Sequence, residues 1–139
     1  MDKEDKTNDD SFKLTQEEWK KRLDPETYHV TREGGTEAPF TGKYFNTHDK
    51  GMYKCSNCGL ELFSSDTKFD SGTGWPSFTE PMNRENIELV PDYSAGMQRV
   101  EVRCKRCGAH LGHVFDDGPK EKGGKRFCLN SCALDLDKK

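Results

Sequence analysis

The chain has 139 residues, with 31% hydrophobic and 34% charged side chains and a net charge of -3. That length suits one domain, but the apolar supply is thin, so a bound metal would help the chain fold. The mild acidity argues against non-specific nucleic-acid binding, and no apolar run approaches the roughly 18 residues of a membrane span.

Residues 1–13 are polar, charged and aperiodic, and are expected to be a disordered tail preceding a single domain over 14–139. The segment Met1-Asp2-Lys3-Glu4-Asp5-Lys6 lacks the apolar stretch of a secretory signal, which predicts a reducing, cytoplasmic setting. Thr15 and Glu18 form a capping box, so a short helix carrying Trp19 and Leu23 begins there. Asp24-Pro25 reads as the cap and first position of a second short helix through about Val30, and Gly34-Gly35 ends this helical segment.

Beyond it the chain reads as strands and turns. Strands are expected at Gly51 to Cys55, Ile87 to Val90, Met97 to Arg103 and Lys125 to Leu129. Gly72, Gly74, Pro76, Pro91, Gly96, Gly118-Pro119 and Gly123-Gly124 punctuate them. One internal echo stands out: Met52 to Leu60 parallels Glu101 to Ala109, each an incoming strand, a C-x-x-C-G turn and an outgoing strand.

Four of the six cysteines lie in those turns: Cys55, Cys58, Cys104 and Cys107. Four thiolates suit tetrahedral zinc and leave no position open for water, so the expected site is structural, one ion per chain. Two hairpins meeting at one ion clamp the ends of the 45 residues between them. Either pair alone also fits a thioredoxin-type redox site, and the set fits an iron–sulfur cluster, but the matched flanks favour zinc.

Three clusters carry possible chemistry. Cys128 stands in Arg126-Phe127-Cys128-Leu129-Asn130-Ser131. Arg126 and Asn130 lie on its face of a strand, where a guanidinium would lower the thiol pKa and an amide would orient a substrate or stabilise an anion. His110 and His113, three apart, suit proton delivery near neutral pH. Gly74-Trp75-Pro76-Ser77-Phe78 reads as a core plug or as an aromatic wall receiving an apolar group. His29 and His48 read as structural or surface residues. A zinc-ribbon module binding protein or nucleic acid is the competing class, and it has no need of these three clusters.

These three stretches and both C-x-x-C pairs resemble the methionine-R-sulfoxide reductases of the B class, in the right order, from about Leu14 to Leu136. Gly35-Thr36-Glu37-Ala38-Pro39-Phe40-Thr41-Gly42 belongs to the same likeness. The resemblance implies a mainly β fold: two antiparallel sheets, short N-terminal helices and a structural zinc clamp. It implies reduction of the R epimer of methionine sulfoxide, free or in protein, as protein repair under oxidative stress. Cys128 would be the nucleophile, with His110 and His113 protonating the sulfoxide oxygen. Trp75 would hold the substrate methyl group, Phe115 would line the site, and Arg126 and Asn130 would tune the cysteine. A sulfenic acid on Cys128 would be reduced by thioredoxin or another thiol. No nucleic-acid or membrane partner is expected, and a monomer suffices.

The chain departs from that likeness in one place. Where many relatives carry a resolving cysteine before the Trp, this chain has Thr73. Cys132 is the remaining thiol. If 128–132 is a strand, four steps of roughly 3.3 Å separate the two α-carbons by about 13 Å, against the roughly 4.4–6.8 Å a disulfide needs; a helical step of about 6 Å would allow the bond, but the segment reads as a strand. Direct reduction by an external thiol is therefore expected, with Cys132 the possible resolving residue only after local rearrangement.

Overall fold

A computed structural model describes residues 14–93, 96 and 98–138. The segment 1–13, expected to be disordered, lies outside them, as does Met97. Helix α1 spans Gln16–Arg22, and its capping box forms as read: Glu18 N donates to Thr15 Oγ1 at 3.2 Å and Thr15 N to Glu18 Oε1 at 2.8 Å. A helix this short is marginal alone. Burial of Trp19 holds it, with the Arg32 guanidinium 4.5 Å above the indole ring. Helix α2 spans Pro25–Glu33, three residues beyond the expected end, and stops where Gly34 turns left-handed at φ 74°. The extra turn is held from outside: Thr31 accepts from Asn57, and Arg32 donates to the Cys107 carbonyl.

The strands among the described residues are β1 Gly51–Cys55, β2 Glu61–Ser64, β3 Lys68–Phe69, β4 Ser77–Phe78, β5 Ile87–Asp92, β6 Arg99–Cys104, β7 His110–Phe115, β8 Arg126–Leu129 and β9 Leu134–Lys138. They form two antiparallel sheets, ordered β2-β1-β9 and β3-β4-β8-β7-β6-β5. The expected fold class, mainly β with two antiparallel sheets and short N-terminal helices, is what the chain adopts. β9 has no counterpart in the sequence reading, although Leu134 and Leu136 alternate with Asp135 and Asp137.

Aromatic rings bind the two sheets. Phe63 from the smaller sheet stacks on Phe78 at 4.8 Å and on Phe127 at 5.6 Å, and Tyr53 meets Phe78 edge-on at 5.1 Å. Such pairs add about 0.5–1.5 kcal/mol each beyond area burial. Phe127 points into this core, so its neighbours Arg126 and Cys128 point out of it.

The strand expected to carry Cys128 on to Cys132 ends earlier. β8 stops at Leu129, Asn130 is the hinge, and Ser131–Ala133 form a 3₁₀ turn. The 13 Å separation of a continuous strand therefore does not apply. The reason is local: Asn130 N bonds to the Leu111 carbonyl, and the amides of Ser131 and Cys132 turn away to a buried carboxylate.

Candidate active site and metal centre

The two C-x-x-C hairpins are built alike. Cys55 N donates to Leu60 O and Gly59 N to Cys55 O; Cys104 N donates to Ala109 O and Gly108 N to Cys104 O. The glycine after each pair sits at φ 81° and 78°, a left-handed region that disfavours a β-carbon. The four sulfurs lie within 4.8 Å of one another, with Cys55–Cys107 at 3.6 Å and Cys58–Cys104 at 3.5 Å. Four zinc–sulfur bonds of about 2.3 Å in a tetrahedron require edges of about 3.8 Å. The cage fits zinc, and its four-sulfur donor set leaves no open position, which makes it a structural centre. It ties the end of β1 in one sheet to the end of β6 in the other. Outside it, Arg106 donates to the Cys58 carbonyl at 2.5 Å and Arg32 to the Cys107 carbonyl at 3.0 Å.

Cys128 sits opposite Ser77 on one side and His113 on the other. It lines a cleft of about 200 Å³ together with Thr36, Thr73, Trp75, His113, Phe115, Arg99, Arg126 and Asn130. The structure thus brings together Cys128, His113, Arg126, Asn130, Trp75 and Phe115 from three distant stretches of sequence. Trp75 is fixed by its ring nitrogen, which donates to the Glu37 carbonyl at 3.0 Å.

His110 lies behind His113 and does not line the cleft. In a regular strand, residues three apart face opposite sides. Here β7 carries a bulge: Arg103 pairs with His110 but Val102 pairs with Gly112, leaving Leu111 as the extra residue. The bulge turns both rings to one face, 5.5 Å apart. Each meets its own carboxylate. His113 Nε2 lies 2.7 Å from Asp92, which also pairs with Arg99 at 3.4 Å. His110 Nδ1 lies 2.6 Å from Glu101, which also pairs with Arg103 at 2.9 Å. Burial holds the His110 pKa below its ordinary value, against the pull of Glu101.

Arg126 does not lower the thiol pKa of Cys128 below its ordinary value. Burial pushes that thiol up, and the Arg126 charge and the Thr73 hydrogen bond recover only part of the rise. The guanidinium is shared: it makes a forked pair with Asp117 at 2.8 and 3.1 Å and stacks 4.5 Å over Phe115. Asn130 is committed at both ends, its amide nitrogen to the Leu111 carbonyl and its oxygen to Glu37 N, each at 3.0 Å.

Cys132 opens into a separate cavity of about 480 Å³ with Glu37, Thr27, Asp24 and Lys43. Burial, then Glu37 and Glu26, push its thiol up to about 12. His29 and His48 are exposed and bond to Glu33 and Asp70.

Sequence reasoning did not find Asp92, Arg99, Glu101, Asp117 or Glu37. The charged alternation Arg99, Glu101, Arg103 was a usable signal, since it puts all three on one face of β6.

Comparison with known proteins identifies the family of the chain. The family described as the SelR domain matches residues 23–138. The peptide methionine sulfoxide reductase MsrB of Synechococcus sp. (strain RCC307) is 53% identical over 135 residues, covering 97% of this chain and 98% of that protein. The enzyme of the same name from Methanosarcina barkeri is 56% identical over 122 residues, 88% of this chain and 85% of its own length. The methionine-R-sulfoxide reductase B3, mitochondrial, of Mus musculus is 56% identical over 121 residues, 87% of this chain but 47% of that protein.

Proposed function

We propose, since the chain belongs to the SelR domain family, that it reduces the R epimer of methionine sulfoxide to methionine, free or within a protein. The observation that carries this reading is the one thiol that lines this cleft, Cys128, facing His113 across the strand pair beside the Trp75 and Phe115 walls. Sulfoxide reduction needs a sulfur nucleophile, a proton for the departing oxygen and an apolar seat for the substrate methyl group, and the cleft offers all three.

The Cys128 thiolate attacks the sulfoxide sulfur while His113 delivers a proton to the oxygen. His110 supports His113 from behind through the ring contact, and Asp92 and Glu101 fix the two imidazoles. Trp75 holds the methyl group and Phe115 closes the wall. Arg126 offsets part of the cost of burying the thiolate. The oxygen ends on Cys128 as a sulfenic acid and methionine leaves. Two thiols of a reductant, thioredoxin or a small dithiol, then return Cys128 to the thiol, releasing water and one reductant disulfide. Cys55, Cys58, Cys104 and Cys107 would hold zinc, which would fasten the hairpins and take no part in the reaction.

External reduction is favoured over resolution by Cys132, because the two thiols open into different cavities and Cys132 is held protonated. We place the protein in a reducing compartment such as the cytoplasm, where the zinc thiolates and free Cys128 persist. No helix among the described residues is long and apolar enough to cross a membrane.

The test is turnover of a methionine-R-sulfoxide substrate with dithiothreitol, by wild type and by Cys128→Ser. Wild type turns over the R epimer and leaves the S epimer untouched. Undiminished turnover by Cys128→Ser would end the mechanism.

A further inference from the structure

Two cavities lie back to back in this fold. Thr36 and Asn130 line the front cleft that holds Cys128, while Glu37 and Cys132 line the rear cavity. The segments 36–37 and 130–132 are therefore the partition between them. Glu37 is its centre. The residue is 4% exposed, and among the described residues no lysine or arginine forms an ion pair with it.

A buried carboxylate without a cation is costly unless hydrogen bonds replace its water. Glu37 has such bonds: Oε2 accepts from Ser131 N at 2.9 Å and Oε1 from Cys132 N at 3.1 Å. These are the first amides of the 3₁₀ turn after β8. Such amides ordinarily find a local capping side chain. Asn130, at the cap position, supplies none. Glu37 caps the turn from 94 residues away in sequence.

The main chain of the same residue faces the other way. Its carbonyl accepts the Trp75 ring nitrogen and its N–H donates to Asn130 Oδ1. Gly42 packs so tightly against Glu37 and Ser131 that a β-carbon there would overlap both side chains. One residue thus joins the aromatic wall, the hinge after Cys128 and the turn behind it. It does so without standing among the cleft-lining residues.

We propose that Glu37 is a positioning residue for substrate. Its carboxylate anchors its own backbone to the turn, and that backbone holds Trp75 and Asn130 at the spacing the sulfoxide requires. This role rests on the reductase reading above. Glu37→Gln keeps one oxygen to accept from one backbone N–H but sets an amide NH₂ against the other, a donor facing a donor, so that bond is lost. The turn loosens, the Glu37 backbone follows, and the Trp75 ring loses its fixed angle. Cys128, held by strand pairing to Ser77 and His113, keeps its place.

The experiment compares wild type, Glu37→Gln and Glu37→Asp in two assays: steady-state reduction of a methionine-R-sulfoxide peptide with dithiothreitol, and alkylation of Cys128 by iodoacetamide. The expected result for both variants is a fall in kcat/KM of tenfold or more, carried mainly by KM, with Cys128 alkylation within threefold of wild type and zinc content unchanged. A merely structural residue would move turnover and alkylation together. Turnover within twofold of wild type, parallel loss in both assays, or failure of both variants to fold would each overturn the proposal. Wild-type protein inactive on the R-sulfoxide would instead overturn the reductase reading, and this role with it.

Discussion

Replacing Arg126 with Gln isolates the electrostatics of the nucleophile. In the folded protein burial pushes the Cys128 thiol up, and Arg126 pulls it down by its charge and by a hydrogen bond. Asp117 pushes it up again, but while Arg126 is present that carboxylate is occupied by the forked pair. Arg126→Gln thus removes the principal opposing charge and frees Asp117. A unit charge about 4 Å away is worth roughly 1–4 kcal/mol between water and a half-buried setting. Even about 1 kcal/mol corresponds to a roughly fivefold loss of thiolate. The sign follows from the acid–base pair: the thiolate is the reactive base, so a raised thiol pKa moves the reactivity curve to higher pH. The assay is Cys128 alkylation by iodoacetamide from about pH 6 to pH 10, followed by peptide mass mapping. Cys132, pushed up to about 12, stays nearly silent across that window. Arg126→Lys keeps a cation but loses the fork and the stack over Phe115, and should fall between the other two curves. An Arg126→Gln curve superposed on wild type, or moved to lower pH, refutes this account of the thiol.

Cys104→Ser should lose its zinc and much of its stability together, seen by metal analysis and thermal melting; a metal-free variant that melts like wild type would contradict the structural role of the cage. Thr73→Cys places a second thiol where the Thr73 side chain already hydrogen-bonds Cys128, so one turnover without reductant should leave a 73–128 disulfide. A persistent sulfenic acid on Cys128 in that variant would show the geometry to be wrong. Glu101→Gln weakens the hold on His110 and leaves Arg103 without its carboxylate, which should lower kcat about tenfold while Cys128 alkylation is unchanged. Equal kcat in that variant would remove Glu101 from the proton machinery.

Features set by adjacent residues were legible in the sequence. The capping box at Thr15, the Asp24-Pro25 start of α2 and the limits of β1 depend on neighbours along the chain, and they stand as read. The zinc cage was legible for a related reason: two identical C-x-x-C-G hairpins are each a local object, and four thiols have few other reasons to repeat. Cys128 and Trp75 were marked by their motifs. What failed depended on distant partners. Cys132 was read on a continuing strand because nothing near it signals a turn; the turn is capped by Glu37, from 94 residues away in sequence. The sign of the Cys128 shift failed likewise, because proximity to Arg126 is visible in sequence and burial is not.

The histidines show how far such non-local effects reach into the chemistry. Their spacing of three predicted two useful rings, yet on a regular strand that spacing would separate them across the sheet. The bulge at Leu111 brings them to one face, and it begins directly beyond the second zinc hairpin, where Arg103 pairs with His110. The residues on either side of the bulge are thus held from two directions: by the cysteine cage at one end of β6, and by the Cys128 strand beside β7. Gly112 meets that strand so closely that a β-carbon would strike the Cys128 carbonyl and the Leu129 backbone. Metal site, bulge and nucleophile therefore form one continuous piece of backbone hydrogen bonding. A zinc held in the cage would take no part in the reaction, yet it would fasten the strand end from which the bulge carrying His110 and His113 departs.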